Sequence, residues 1–117
     1  MICPDAESFA ALLPRDGAIA GLDLGTVTIG VAVSDLRRRV ATPLETVRRK
    51  KFTLDAARLL EIAAHRDLKG VVLGLPINMD GSEGPRAQST RAFASNLERL
   101  TDLPIAFWDE RDRKSNV

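Results

Sequence analysis

The segment Ile19-Ala-Gly-Leu-Asp-Leu-Gly-Thr-Val-Thr-Ile-Gly-Val-Ala-Val-Ser34 constrains this chain more than any other stretch. Ile19 to Leu24 reads as a buried strand, and Gly25-Thr26 as a tight turn. Thr28 to Ser34 then alternates Ile29, Val31 and Val33 with Gly30 and Ala32. A period of two puts large side chains on one face and small ones on the other, so the pair is an antiparallel hairpin with one sparsely covered face. Asp23 ends the first strand of that hairpin.

The rest of the chain extends this start into a layered sheet. A third short strand is expected over Leu44 to Val47, after Pro43. Thr53 is suited to N-cap a helix, Asp55 lies where the helix dipole favours an anion, and Ala56, Leu59, Leu60, Ala63 and Ala64 make an apolar stripe at helical spacing. Gly70-Val-Val-Leu-Gly74 is short, apolar and glycine-bounded, as a central parallel strand would be. A loop from Leu75 to Gly84 leads to a second helix with Pro85 in its first turn and Ala87, Thr90, Phe93, Ala94, Leu97 and Leu100 on one face. Pro104-Ile-Ala-Phe-Trp108 is the last strand. The order βββαβαβ predicts an α/β domain over residues 18–117, with a mixed sheet flanked by helices. Residues 1–17 read as a mobile N-terminal extension with a short helix over Ala6 to Leu13, so Cys3 is given no catalytic role.

Bulk properties narrow the class. At 117 residues, 44% hydrophobic and 28% charged, the chain fits one globular domain. Its apolar runs fall short of the ~20 residues needed to span a bilayer. The first residues lack the basic start and apolar core of a secretion signal. A single cysteine excludes an internal disulfide and suits a reducing cytoplasm. The net charge of +1 is uninformative, but Arg37-Arg38-Arg39, Arg48-Arg49-Lys50-Lys51 and Arg111 to Lys114 cluster near expected strand ends. Each alone reads as a solvated loop, whereas together they suggest a surface that tracks phosphates.

Sites in open α/β sheets form beyond the carboxyl ends of parallel strands. Asp23, the loop Gly74-Leu-Pro-Ile-Asn-Met-Asp80 and Asp109-Glu110 should therefore converge on one rim. Carboxylates at buried strand ends are costly unless compensated, and hard divalent cations such as Mg²⁺ or Mn²⁺ compensate them through oxygen ligands. Two alternatives stay open. Asp23 can instead shape the turn by bonding the backbone at Gly25, and Asp109 and Glu110 can instead cap a helix or pair with Arg111.

At these residues the sequence resembles the YqgF family, whose members are known as pre-16S rRNA nucleases or, from their fold, Holliday junction resolvases. The matching segments are Gly21 to Asp35, Ala41-Thr-Pro-Leu-Glu-Thr46, Val72-Leu-Gly-Leu-Pro-Ile-Asn-Met-Asp-Gly-Ser-Glu-Gly-Pro85, Phe93-Ala94 with Leu97, and Trp108-Asp-Glu-Arg111. The resemblance implies a ribonuclease H-like fold and a metal-dependent endonuclease in 5′-end maturation of 16S rRNA, with ribosomal particles as possible partners and branched DNA as the alternative substrate. It implies that Asp23 and Glu110 are metal-binding and catalytic, with Asp109 and Arg111 in support. Thr26, Thr28 and Asn78, with Arg48, Arg49, Lys50, Lys51 and Arg111, are the candidate phosphate contacts.

Members of the family usually continue past Asp-Glu-Arg to a helix bearing a third catalytic aspartate. Here the continuation is Asp112-Arg-Lys-Ser-Asn-Val117, so the fold is expected to be C-terminally incomplete, with one sheet face uncovered. Two readings from other classes remain. Asp23-x-Gly-Thr-x-x-x-Gly30 resembles a phosphate loop of the actin and sugar-kinase superfamily, though 117 residues leave no room for its duplicated domain. A non-catalytic RNA-binding module is the other, and it predicts RNA binding that survives Asp23→Ala. For the nuclease reading, cleavage of a 16S precursor fragment with Mg²⁺ or Mn²⁺ is expected to be weak or absent. Robust, Asp23-dependent cleavage relative to an Asp23→Asn control would show that the third carboxylate is dispensable.

Overall fold

The computed structural model describes residues 1–110. Its elements are α1 (Ala6–Leu12), β1 (Ala20–Leu24), β2 (Thr28–Ser34), β3 (Ala41–Arg48), α2 (Phe52–His65), β4 (Val71–Leu75), α3 (Pro85–Glu98) and β5 (Ile105–Asp109). They form one five-stranded sheet in the order β3-β2-β1-β4-β5. β1 pairs antiparallel with β2 and parallel with β4, β2 pairs antiparallel with β3, and β4 pairs parallel with β5.

The period-two pattern produces two unlike faces. Ala20, Leu22 and Leu24 of β1 and Ile29, Val31 and Val33 of β2 are buried, while the residues between them are half-buried or exposed. The large side chains join Val47, Val71, Leu73 and Ile105 against Ala56 and Leu59 of α2 and Phe93, Ala94 and Leu97 of α3. Ile29 and Leu73 are fully enclosed, and each such side chain contributes roughly 1.5–3 kcal/mol by leaving water. The opposite face carries Gly21, Gly30, Ala32, Val72 and Gly74, and α1 covers part of it.

Four local expectations change. β3 runs from Ala41 and takes in Pro43, which an edge strand tolerates because no neighbour needs its missing N–H. The register slips there: Val31 faces Glu45 and Ala32 faces Pro43, and the extra residue Leu44 turns in against Ala20, Val33, Ile62, Ala63 and Leu68. α2 begins at Phe52 rather than after a Thr53 cap. Its N-cap Lys51 makes no side-chain bond, and buried Asp55 accepts the Lys50 N–H at 3.1 Å instead. Gly74 lies inside β4 rather than at its boundary.

The N-terminal segment is the fourth difference, because it is built into the sheet. Ile2 bridges Ile105 in parallel, the Cys3 N–H donates to the Ile105 carbonyl at 2.7 Å, and the Ile105 N–H donates to the Met1 carbonyl at 2.8 Å. Cys3 and Phe9 are buried with Ala106. Phe9 and Leu13 lie so close to Gly70 that a Cβ there would stand 2.8 Å from Phe9 Cζ and 2.9 Å from Leu13 Cδ2. Arg38, at φ 60°, ties the connection down by donating to the carbonyls of Gly17 (2.7 Å), Pro14 (2.8 Å) and Arg15 (3.1 Å). No helix among the described residues is long and apolar enough to cross a membrane.

Phe9→Ala is expected to cost about 3 kcal/mol in urea unfolding, the usual scale for emptying a buried aromatic site. An unchanged midpoint would mean that α1 does not hold the sheet.

Candidate active site

Three observations assemble the site on the sparsely covered face. Asp23, exposed and opposite Gly30 in the β1–β2 ladder, stands one residue beyond the last paired positions of β1 and β4, Leu22 and Leu73. Gly74 follows Leu73 on β4 and pairs with Trp108, and Leu75 pairs with Asp109. Glu110 comes next, its N–H donating to the Leu75 carbonyl at 3.2 Å, and its carboxylate lies back over Gly74. A Cβ on Gly74 would stand 2.5 Å from Glu110 Oε1 and 3.3 Å from Cδ. The glycine is therefore the gap through which an acidic group from beyond β5 reaches across β4 toward Asp23 on β1.

Neither carboxylate has a hydrogen-bond or ion-pair partner among the described residues. The alternative in which Asp23 shapes the turn is not realised: the Gly25 N–H bonds the Thr28 carbonyl at 2.8 Å. Two acceptor-only groups on one face, with no cation between them among the described residues, have their oxygens available to a ligand of opposite charge. Asp23 borders a hollow of about 790 Å³ floored by Gly21, Gly30, Ala32, Val72, Gly74 and the half-exposed Trp108.

Asp109 does not join them. The pleat turns Trp108 and Glu110 one way and Phe107 and Asp109 the other, and Asp109 lines a separate hollow of about 280 Å³ with Leu75, Phe107 and Arg91 on the helix side. Among the described residues no group of three His, Cys, Asp or Glu side chains is arranged to hold a metal. Arg111 lies outside the described residues.

The loop after β4 is fixed by its own bonds. Asn78 Nδ2 donates to Ser82 Oγ at 3.1 Å, and Asp80 Oδ1 accepts from Ser82 N (2.9 Å) and Ser82 Oγ (2.6 Å). Glu83 then latches to α3 through a two-pronged pair with Arg91 at 2.6 and 2.7 Å, while the Arg91 guanidinium sits 5.0 Å from the centre of the Phe107 ring. The hydrogen bond from Arg91 holds the Glu83 carboxyl below its ordinary range, with partial desolvation opposing and the Arg91 charge assisting. Asn78 thus braces its loop from an exposed position.

The other candidate phosphate contacts separate. Arg48, Lys50 and Lys51 are exposed around the end of β3 and the start of α2, and Thr28 is half-buried at the start of β2. Arg49 and Thr26 meet on the helix side of the β1–β2 turn, beside Arg86 and Ser89 of α3. The sequence reading missed Gly74, Arg86 and Ser89. A glycine interrupting an apolar strand was the available signal for Gly74, but the arginine and serine carried none.

Gly74→Ala should leave the melting temperature within a few degrees, because the group it displaces is the far end of a flexible side chain. The affinity for Mn²⁺ in titration calorimetry should fall at least about tenfold, the scale for disturbing a ligand's support. Unchanged affinity would remove Glu110 from the site.

A family model described as "RuvX: Holliday junction resolvase" matches residues 17–113. The chain is 71% identical over 111 residues to a "Putative pre-16S rRNA nuclease" of Rhodobacter capsulatus, covering 95% of this chain and 70% of that protein. Proteins of the same name from Paracoccus denitrificans and Ruegeria pomeroyi are 72% and 69% identical over the same 95% of this chain, which covers 70% and 72% of their lengths. Among solved structures it is similar to Thermus thermophilus RuvC in complex with a Holliday junction substrate (TM-score 0.58, 15% identity, 80% of this chain and 63% of that one). A second structure of Thermus thermophilus RuvC gives TM-score 0.57 at 16% identity, over 79% of this chain and 63% of that one. At that identity the likeness is one of fold, and the fold is ribonuclease H-like.

Proposed function

The chain belongs to the RuvX Holliday junction resolvase family, and on that premise we propose that it is a metal-dependent endonuclease that hydrolyses phosphodiester bonds in 5′-end processing of pre-16S rRNA. The observation that carries this reading is the Glu110 carboxylate lying over Gly74, on the same face as Asp23. The substrate, pre-16S rRNA, is read from the names of relatives about 70% identical, and the cytoplasm is the compartment that a single cysteine suits.

The donor set fits a hard divalent cation, Mg²⁺ or Mn²⁺: both groups offer only carboxylate oxygens, and two carboxylates leave coordination positions for water and phosphate oxygens. Asp23 and Glu110 would hold it. When bound, such an ion neutralises charge on the phosphodiester and makes a water more acidic. The remaining work falls to the chain. Asp23, held in the β1–β2 ladder opposite Gly30, sets where the scissile phosphate stops. Glu110 closes the acidic pair from the next strand but one. The floor of glycine, alanine and valine lets a sugar-phosphate backbone approach without meeting large side chains.

A second reading, resolution of branched DNA, rests on the description of the family itself. The chemistry at the phosphate is the same, so the substrate decides between them.

Asp23→Asn and Glu110→Gln are each expected to abolish Mn²⁺ binding in calorimetry. Whatever cleavage of a 16S precursor fragment the chain supports should fall at least about a hundredfold, roughly 2.7 kcal/mol of transition-state stabilisation. Cleavage and metal affinity unchanged in Asp23→Asn would defeat the proposal. Faster cleavage of a four-way DNA junction than of the RNA would favour the second reading.

A further inference from the structure

The β1–β2 turn has a second side. Asp23 projects from one face of the sheet, but Leu24, Gly25 and Thr26 border a small pocket on the other, closed by Arg49 from the end of β3 and by Arg86 and Ser89 from α3. Its volume is about 50 Å³, above the ~10–15 Å³ that one water needs.

The two arginines are held unlike the others nearby. Arg58 is paired with Glu45 and Glu61, and Arg91 with Glu83. Arg49 and Arg86 have no carboxylate partner among the described residues. Each instead donates through one nitrogen to a turn carbonyl, Arg49 Nη1 to Gly25 at 2.7 Å and Arg86 Nη2 to Leu24 at 3.1 Å. The Arg49 guanidinium also lies 5.9 Å from the centre of the Phe93 ring, which fixes its orientation. A guanidinium has five N–H donors, so both keep donors in reserve while one is tied to the turn. The hydroxyls of Thr26 and Ser89 make no hydrogen bond among the described residues either, whereas that of Thr90, at the back of the pocket, is satisfied by the Arg86 carbonyl at 3.0 Å. Two oriented cations and two unused hydroxyls, with no acidic group in the lining, form a receptor for a tetrahedral oxyanion.

We propose that Arg49, Arg86, Thr26 and Ser89 form a phosphate subsite that grips the nucleic-acid strand one or two nucleotides from the bond being cut. The inference rests on the nuclease reading for which strand it grips. Thr26 is three residues from Asp23, so their Cα atoms are at most ~11 Å apart even if fully extended. A strand halted at Asp23 and Glu110 therefore lays its neighbouring phosphates over the turn. The turn becomes a saddle, with cutting chemistry on one flank and positioning on the other, and Arg86 and Ser89 act in positioning.

Fluorescence anisotropy with a labelled single-stranded RNA from the 16S precursor, in EDTA, tests this without metal or cleavage. Arg86→Gln, Ser89→Glu and Arg99→Gln each lower the net charge by one, and Arg99 is an exposed residue at the far end of α3. Arg86→Gln and Ser89→Glu should each weaken binding about tenfold, the scale for losing one charge-assisted bond. Each should also reduce the slope of log affinity against log salt by about 0.7, the release expected for one phosphate of a single strand. Arg99→Gln should stay within about twofold. Ser89→Glu alters no bond of the fold, so it decides the matter if Arg86→Gln proves unstable. Equal losses in all three variants, or none in Ser89→Glu, overturn the subsite. Cleavage surviving in Asp23→Asn would instead overturn the nuclease reading and leave the binding result standing.

Discussion

The central position of β1 governs everything else in this molecule. It is bonded on both sides, antiparallel to β2 and parallel to β4, so its backbone has no freedom to adjust and its side chains must alternate strictly. Ala20, Leu22 and Leu24 are committed to the helices, and Gly21 and Asp23 are thereby committed to the other face. A slip of one residue would bury Asp23 under α3 and expose three apolar side chains, a loss of several kcal/mol on burial alone at roughly 1.5–3 kcal/mol per large side chain. The position of the acidic group is thus a by-product of the strongest apolar register in the sheet.

What was legible in the sequence was whatever depends on short-range periodicity. β2 was expected from Thr28 to Ser34 and is found there, and α3 begins at Pro85 as its fixed backbone angle favours. The ribonuclease H-like arrangement followed from element order and from the family resemblance. Apart from the start of α2, the errors share a cause: each depends on a partner far away in the chain. Pro43 looked like a boundary because the pattern does not reveal that β3 is an edge strand. Gly74 looked like punctuation because its reason is a carboxylate at Glu110. Residues 1–17 looked mobile because Phe9 finds its cover at Gly70 and Ala106.

The candidate site divides along the same line. Asp23 and Glu110 stood out because carboxylates directly after apolar strands are unusual at any distance. Asp109 was grouped with Glu110 by adjacency, but successive side chains of a strand point to opposite faces, and here Asp109 lines the hollow beside Phe107 and Arg91. The basic runs misled in a different way. Arg38 is occupied by three backbone carbonyls and Arg49 by one, so a count of charges says nothing about which remain available. Only the map of acceptors around each guanidinium separates structural arginines from receptive ones.

The docking of Met1 to Cys3 along Ile105 has a meaning beyond local stability. β5 would otherwise end the sheet with a row of unsatisfied amides, the kind of surface on which chains add to one another. Residues 1–3 thus guard a strand that lies 103 positions further along the chain. Until Ile105 is in place the guard has nothing to hold. Protection of this edge is therefore a non-local contact, acquired only once segments 103 positions apart have met.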